Sequence, residues 1–177
     1  MKYTLLAMTT AVCVCLLSLA FAPDIIMMVA MKGLIDRSQA INPQAGYNMI
    51  LIPTERTSHL NQPVVRPSND MLYAVCVFDL SKAPDGLLIS APIQDGYISL
   101  SAFASNSDNF YVQDDRGFEG DLKIQLVSDK VATPVAGHTA VVSPSEQGIV
   151  LVRLLIEDET QLAAYFTQIN QATCKPA

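Results

Sequence analysis

Tyr97-Ile98-Ser99-Leu100-Ser101-Ala102-Phe103-Ala104 sets apolar and hydroxyl side chains in alternation. Successive side chains of a β-strand point to opposite faces, so Ile98, Leu100 and Ala102 share one face and Ser99 and Ser101 the other. Similar short runs, rich in β-branched and aromatic residues, lie at Met71–Phe78, Leu87–Ser90, Phe110–Val112, Leu122–Val127, Thr139–Val142 and Ile149–Ile156. Turn chemistry separates them, at Pro84-Asp85-Gly86, Asp95-Gly96, Asn106 to Asn109, Asp115-Arg116-Gly117, Ser128 to Lys130 and Ser143 to Gly148. Strands recurring about every 8–12 residues predict a sandwich or barrel. Ile149–Ile156 is apolar on both faces except at Arg153, the pattern of a central strand.

Upstream, Asn48–Pro53 reads as a further strand ended by proline, and Thr54–Pro67 as a surface loop with prolines at 63 and 67. Downstream, Asp158 and Gln161 stand in a capping-box arrangement ahead of a helix. Its stripe of Leu162, Tyr165, Phe166 and Ile169 should face the sheets, with Pro176 past its end and Cys174 near its foot. The expected class is all-β: an antiparallel β-sandwich with a C-terminal helix, preceded by an N-terminal transmembrane or signal helix. The expected boundaries are an anchor or signal over 1–30, a tether over 31–47 and the β-sandwich domain over 48–177. Gly33, Asn42, Pro43 and Gly46 should break any long helix in the tether.

The N-terminal segment carries no charge from Tyr3 to Pro23, directly after Lys2. A helix of that length spans about 30 Å, the thickness of a bilayer's hydrocarbon core. The positive flank keeps the N-terminus inside and sends the domain out. Ala20-Phe21-Ala22 resembles a small-x-small cleavage site, with Ser18-Leu19-Ala20 a second. Pro23 in the first mature position and the apolar run Ile25–Ala30 argue for an uncleaved anchor. The expected location is the bacterial inner membrane, single pass, with the domain facing the periplasm. A cleaved, periplasmic form is the alternative.

Beyond Arg37 the sequence holds eight Lys and Arg against fifteen Asp and Glu, a net charge of −7. So acidic a domain repels phosphate backbones, and nucleic acid is excluded as a partner. Cys13 and Cys15 lie inside the membrane run, without a lipobox. Cys76 and Cys174 remain in the exported part, where an oxidising compartment permits a disulfide. The alternative is two separate small buried hydrophobes.

Catalytic signatures are incomplete. Ser107-Asp108-Asn109 matches one of three elements of the serine β-lactamases, but no serine stands three residues before a lysine and Lys-Thr-Gly is missing. A polar turn accounts for it. There is no Gly-x-Ser-x-Gly, and only His59 and His138 are available as bases. No His, Cys or carboxylate cluster has zinc-ligand spacing, and Asp114-Asp115 with Asp108 and Glu119 lacks a calcium-loop pattern. Neither metal nor cofactor is expected. The densest polar cluster is Arg66-Pro67-Ser68-Asn69-Asp70, running into Tyr73. Arg66, Asn69, Asp70 and Tyr73 are candidates to line a binding pocket, or else serve as turn chemistry at the strand entrance.

Val64 to Tyr73, then Phe78-Asp79-Leu80-Ser81, then Asp95-Gly96-Tyr97 resemble the domain of unknown function 1254 family, over about Tyr47 to Cys174. The chain is similar to its short, membrane-anchored branch, where one cysteine follows the Asp-x-x-Tyr strand and another ends the chain. Longer relatives carry threonine where Met71 stands and continue into a second β domain. The resemblance implies a β-sandwich and supplies no established activity. Two functions are therefore expected in order: a membrane-tethered binding or assembly module, then an enzyme on a small polar or carboxylated substrate using Arg66, Asp70 and Tyr73. A companion membrane-associated β-domain protein is the expected partner, standing in for the second domain.

Overall fold

The alternating runs pair into two sheets in the computed structural model, which describes residues 2–52, 56, 67–94, 96–116, 120–128 and 135–177. Among the described residues nine strands run in chain order as β1 (Ile50–Leu51), β2 (Met71–Asp79), β3 (Leu87–Ala91), β4 (Ile98–Ala104), β5 (Asn109–Asp114), β6 (Leu122–Val127), β7 (Thr139–Val142), β8 (Gln147–Leu155) and β9 (Thr173–Pro176). One sheet has the order β1-β2-β8-β4-β5 and the other β7-β6-β3-β9. All pairings are antiparallel except β6 with β7, which is parallel and so departs from the expected antiparallel pattern.

The core draws on both sheets. Leu72, Ala74, Cys76 and Phe78 of β2 and Val150, Val152 and Leu154 of β8 join one buried cluster with Leu87 and Ile89 of β3 and Leu122, Ile124 and Leu126 of β6. Ile98, Leu100 and Ala102 enter the same cluster from β4, as the alternation in the sequence requires. β8 lies between β2 and β4, the central position that its two-sided apolar pattern predicts.

The all-β expectation is corrected by the N-terminal helix. A single helix, α1, runs from Lys2 to Ile41, through Pro23 and through Gly33, so the expected helix-breaking tether begins only at Asn42. The reason is tertiary packing. Met27, Met31 and Ile35 recur every four residues and bury together with Val77 on the outer face of the five-stranded sheet, beside Phe103 and Ile149. Full burial of one such side chain stabilises by about 1.5–3 kcal/mol, more than the roughly 1 kcal/mol that glycine costs a helix interior. This helix also explains why β8 is apolar on its second face.

At the other end, Asp158 caps a 3-10 turn over Glu159–Gln161, accepting from the Thr160 amide at 2.9 Å and the Thr160 hydroxyl at 2.7 Å. Gln161 also donates to Asp158, at 3.3 Å, through its side chain. Helix α2 (Leu162–Ile169) follows and buries Tyr165 and Ile169, with Leu162 and Phe166 packed against the core. Cys174 is not at the foot of this helix. It sits in the edge strand β9, paired with Ile89 of β3, because the chain turns at Asn170–Ala172 and becomes extended again before Pro176. Cys76 and Cys174 form a disulfide with α-carbons 6.2 Å apart, tying the five-stranded sheet to the four-stranded one.

Candidate functional site

The described part of the strand entrance singled out by its polar density is held by local contacts. Asn69 and Asp70 form the turn before β2, and both are exposed. Tyr73 turns its hydroxyl back to accept from the Ser68 amide at 2.9 Å, and the Asp70 carbonyl accepts from Ile156 at 2.8 Å. Among the described residues the cation here is Arg56. Its Nη1 donates to both carboxylate oxygens of Glu159, at 2.7 and 2.9 Å, and its Nη2 lies 3.7 Å from Asp70. Its Nε donates to the Asn69 carbonyl. Arg66 lies outside the described residues. Asn69, Asp70 and Tyr73 are thus brought to one place, where their contacts fasten the entrance of β2 to the turn before α2.

The other residues weighed in the sequence are also engaged locally. Ser107, Asp108 and Asn109 close the β4–β5 turn, with Ala104 donating to the Asp108 carbonyl at 2.9 Å and Asp108 to the Asn106 side chain at 3.1 Å. Asp114 accepts from the Arg116 amide at 3.1 Å, and Asp115 accepts from the Ile98 amide at 3.3 Å. His138 sits in an exposed turn, and His59 and Glu119 lie outside the described residues.

A buried carboxylate that was not ranked from the sequence is Asp79, at the end of β2, with only 4% of its side chain exposed. One carboxylate oxygen accepts from the Ser81 amide at 3.2 Å and the Ser81 hydroxyl at 2.5 Å. The other accepts from Lys82 at 3.0 Å and Gln147 at 3.1 Å. Its backbone is held as firmly: Asn48 accepts from the Asp79 amide at 2.7 Å and donates to its carbonyl at 2.8 Å. Lys82 also sits over the Tyr47 ring, 4.2 Å from its centre. The cluster therefore clamps the entry to β1, the end of β2 and the start of β8 together. The Asp-x-Ser spacing in Phe78–Ser81 was the available signal, as an Asp side chain reaching two residues ahead.

Burial pushes the Asp79 carboxyl up, but the bonds from Ser81, Lys82 and Gln147 and the Lys82 charge together hold it below its ordinary value of 3.8. A carboxylate lowered on folding contributes stability that is fully present above the unfolded value and is lost as pH falls through the folded one. We expect Asp79→Asn to cost about 2 kcal/mol at neutral pH, from the loss of charge-assisted bonds. The variant should also flatten the fall in stability that the unaltered protein shows below pH 3.8, as read by chemical unfolding across pH. An unchanged pH profile would remove Asp79 from the clamp.

A second buried polar feature lies on the outer face of the five-stranded sheet. Arg153 of β8 stands opposite Tyr73 of β2 and Ser99 of β4, and Ser99 in turn opposite Asp114 of β5. Its Nη2 donates to the Ser101 hydroxyl at 2.6 Å, while its Nε is buried without an acceptor among the described residues.

A family model described as "Protein of unknown function (DUF1254)" matches residues 47–176. No curated protein matches the chain. Among solved structures, the VPA0106 protein from Vibrio parahaemolyticus superposes with a TM-score of 0.58 at 14% identity, over 87% of this chain and 37% of that one. An uncharacterized protein from Burkholderia cenocepacia gives 0.46 at 17% identity, over 76% and 36%. The chain thus spans little more than a third of either neighbour's length, and its likeness to the Vibrio protein is one of fold.

Proposed function

From the premise that the chain belongs to the DUF1254 family of proteins of unknown function, we propose that it is a membrane-tethered β-sandwich acting as a binding or assembly module on the periplasmic side of the bacterial inner membrane. The observation that carries the reading is the division of α1. A helix of forty residues is about 60 Å long, twice the hydrocarbon thickness of a bilayer. Beyond Lys2 its first half is uncharged, apolar and exposed, with Leu5, Leu6, Leu16, Leu17 and Leu19 all unpacked, whereas its second half docks one face, Met27, Met31 and Ile35, on β2 and β8. A soluble core helix does not leave such a face bare, and a membrane covers it. The Cys76–Cys174 disulfide suits an oxidising compartment. The core shared by both sheets supports a sandwich.

A companion β-domain protein is the partner we propose, supported by the fold match reaching over only 37% of the Vibrio protein. Beyond α1, whose bare face continues through Ile25, Ile26, Met28 and Val29, the described surface offers only scattered large apolar side chains, Met49, Val112 and Val142. The companion would accordingly be held through strand edges such as β5, rather than through a broad apolar patch. The enzyme reading draws no support from Asp70 and Tyr73, whose contacts are local ties.

Native mass spectrometry of membrane and soluble fractions tests both proposals at once. The expected species is the intact 19.2 kDa chain in the membrane fraction, together with a second polypeptide. A soluble species beginning near Phe21 or Pro23 would defeat the anchor, and recovery of the bare chain alone would defeat the companion.

A further inference from the structure

We propose that Arg153 is the anchor of a carboxylate-binding site on the outer face of the five-stranded sheet. This deepens the binding-module reading and rests on it. Arg153 is the one charge in an otherwise apolar central strand, and it is only partly exposed. Among the described residues no carboxylate lies within ion-pair distance of it. Asp114, nearest along the cross-strand row, is 3.7 Å from Arg116 instead. Nε and Nη2 form the edge of a guanidinium that grips a carboxylate through two parallel bonds. On that edge Nη2 has the Ser101 hydroxyl and, among the described residues, Nε has no acceptor.

A partly buried cation lacking a countercharge costs stability unless an anion completes it. Two buried hydroxyls stand beside it, Ser99 and Ser101 at 2% and 0% exposed, on a face where the neighbouring β-strand positions carry Val75 and Leu151. The domain's charge of −7 disfavours a dianion and leaves a monocarboxylate as the ligand class. Position points to a dissolved ligand rather than a lipid head group. Ser107, at the β4–β5 turn, donates to the Pro23 carbonyl of α1 at 3.4 Å, which marks the membrane end of β4. Ser99 is near the opposite end of that strand, roughly 17 Å from Ala104 at 3.3 Å per residue.

The test compares the full chain in nanodiscs with Arg153→Met, using calorimetry because the chain has no tryptophan. In sodium chloride the variant should unfold a few degrees higher than the unaltered protein, because an uncompensated charge has gone. Replacing chloride by about 20 mM propionate at equal ionic strength should raise the unaltered protein's Tm by about 5 °C and leave the variant in place. In the unaltered protein the Arg153 Nε–H resonance should shift saturably with propionate. A variant that unfolds lower, with no propionate response in the unaltered protein, makes Arg153 purely structural and overturns the proposal. A stronger response to phosphate overturns the carboxylate assignment. Either result leaves the membrane tether standing, because the mass measurement reads that separately.

Discussion

Gly148→Ala is expected to cost about 3 kcal/mol or more, a large share of the stability of a single domain. Gly148 opens β8 between Phe78 of β2 and Ala104 of β4. A β-carbon placed there would stand 2.2 Å from the Phe103 carbonyl oxygen and 2.6 Å from the tip of the Phe78 ring. Phe78 is fully buried, so its ring cannot swing aside, and the oxygen belongs to the neighbouring strand's backbone. The strands must therefore separate at the point where Asp79 and Gln147 meet. The expected drop in Tm is about 10 °C. Gly33→Ala is the matched control: nothing lies within 4 Å of its added carbon, and it should stabilise α1 by about 0.5–1 kcal/mol. Adding Phe78→Leu to Gly148→Ala should recover part of the loss, since it relieves the ring contact but not the carbonyl contact. Equal stability of Gly148→Ala and the unaltered protein would mean that the two strands yield cheaply.

The strands that were legible in the sequence are those whose own alternation fixes their face. Leu122–Val127 and Thr139–Val142 begin and end where the sequence pattern puts them, and Met71–Phe78 extends by a single residue. β9 was hidden because four residues containing a proline, following a helix, look like a helix stop. Its pairing partner is β3, more than eighty residues earlier. The length of α1 was hidden for a related reason. Gly33 weakens a helix locally, and only contact with Val77 and Ile149 shows what outweighs it. The same limit applies to the sites. Asn69, Asp70 and Tyr73 drew notice by crowding in sequence, and they do meet, as turn chemistry. Asp79 and Arg153 are single charges in apolar runs. Their importance comes from what faces them across strands, namely Asn48 and Gln147 for one and Ser99 and Ser101 for the other.

Removing the disulfide should be the other large loss. Cys76 and Cys174 close a loop of 98 residues, for which the chain-entropy model gives about 4–5 kcal/mol. The native contacts point the same way. Cys76 is fully buried on β2, whereas β9 is an edge strand of four residues hydrogen-bonded on one side only, to β3. With the bridge cut, β9 keeps its pairing with Leu87–Ser90 but loses its fixed link to the opposite sheet. The double variant Cys76→Ala with Cys174→Ala should therefore lose about 3–5 kcal/mol in denaturant unfolding. Hydrogen exchange should localise the damage, with β9 losing protection first and the central strand β8 last. The unaltered protein should resist thiol alkylation at both positions until reductant is added, then follow the double variant. If both cysteines label freely without reductant, or if the double variant unfolds with the unaltered protein, the bridge does not hold the two sheets together and the stability of β9 must come from its ladder with β3.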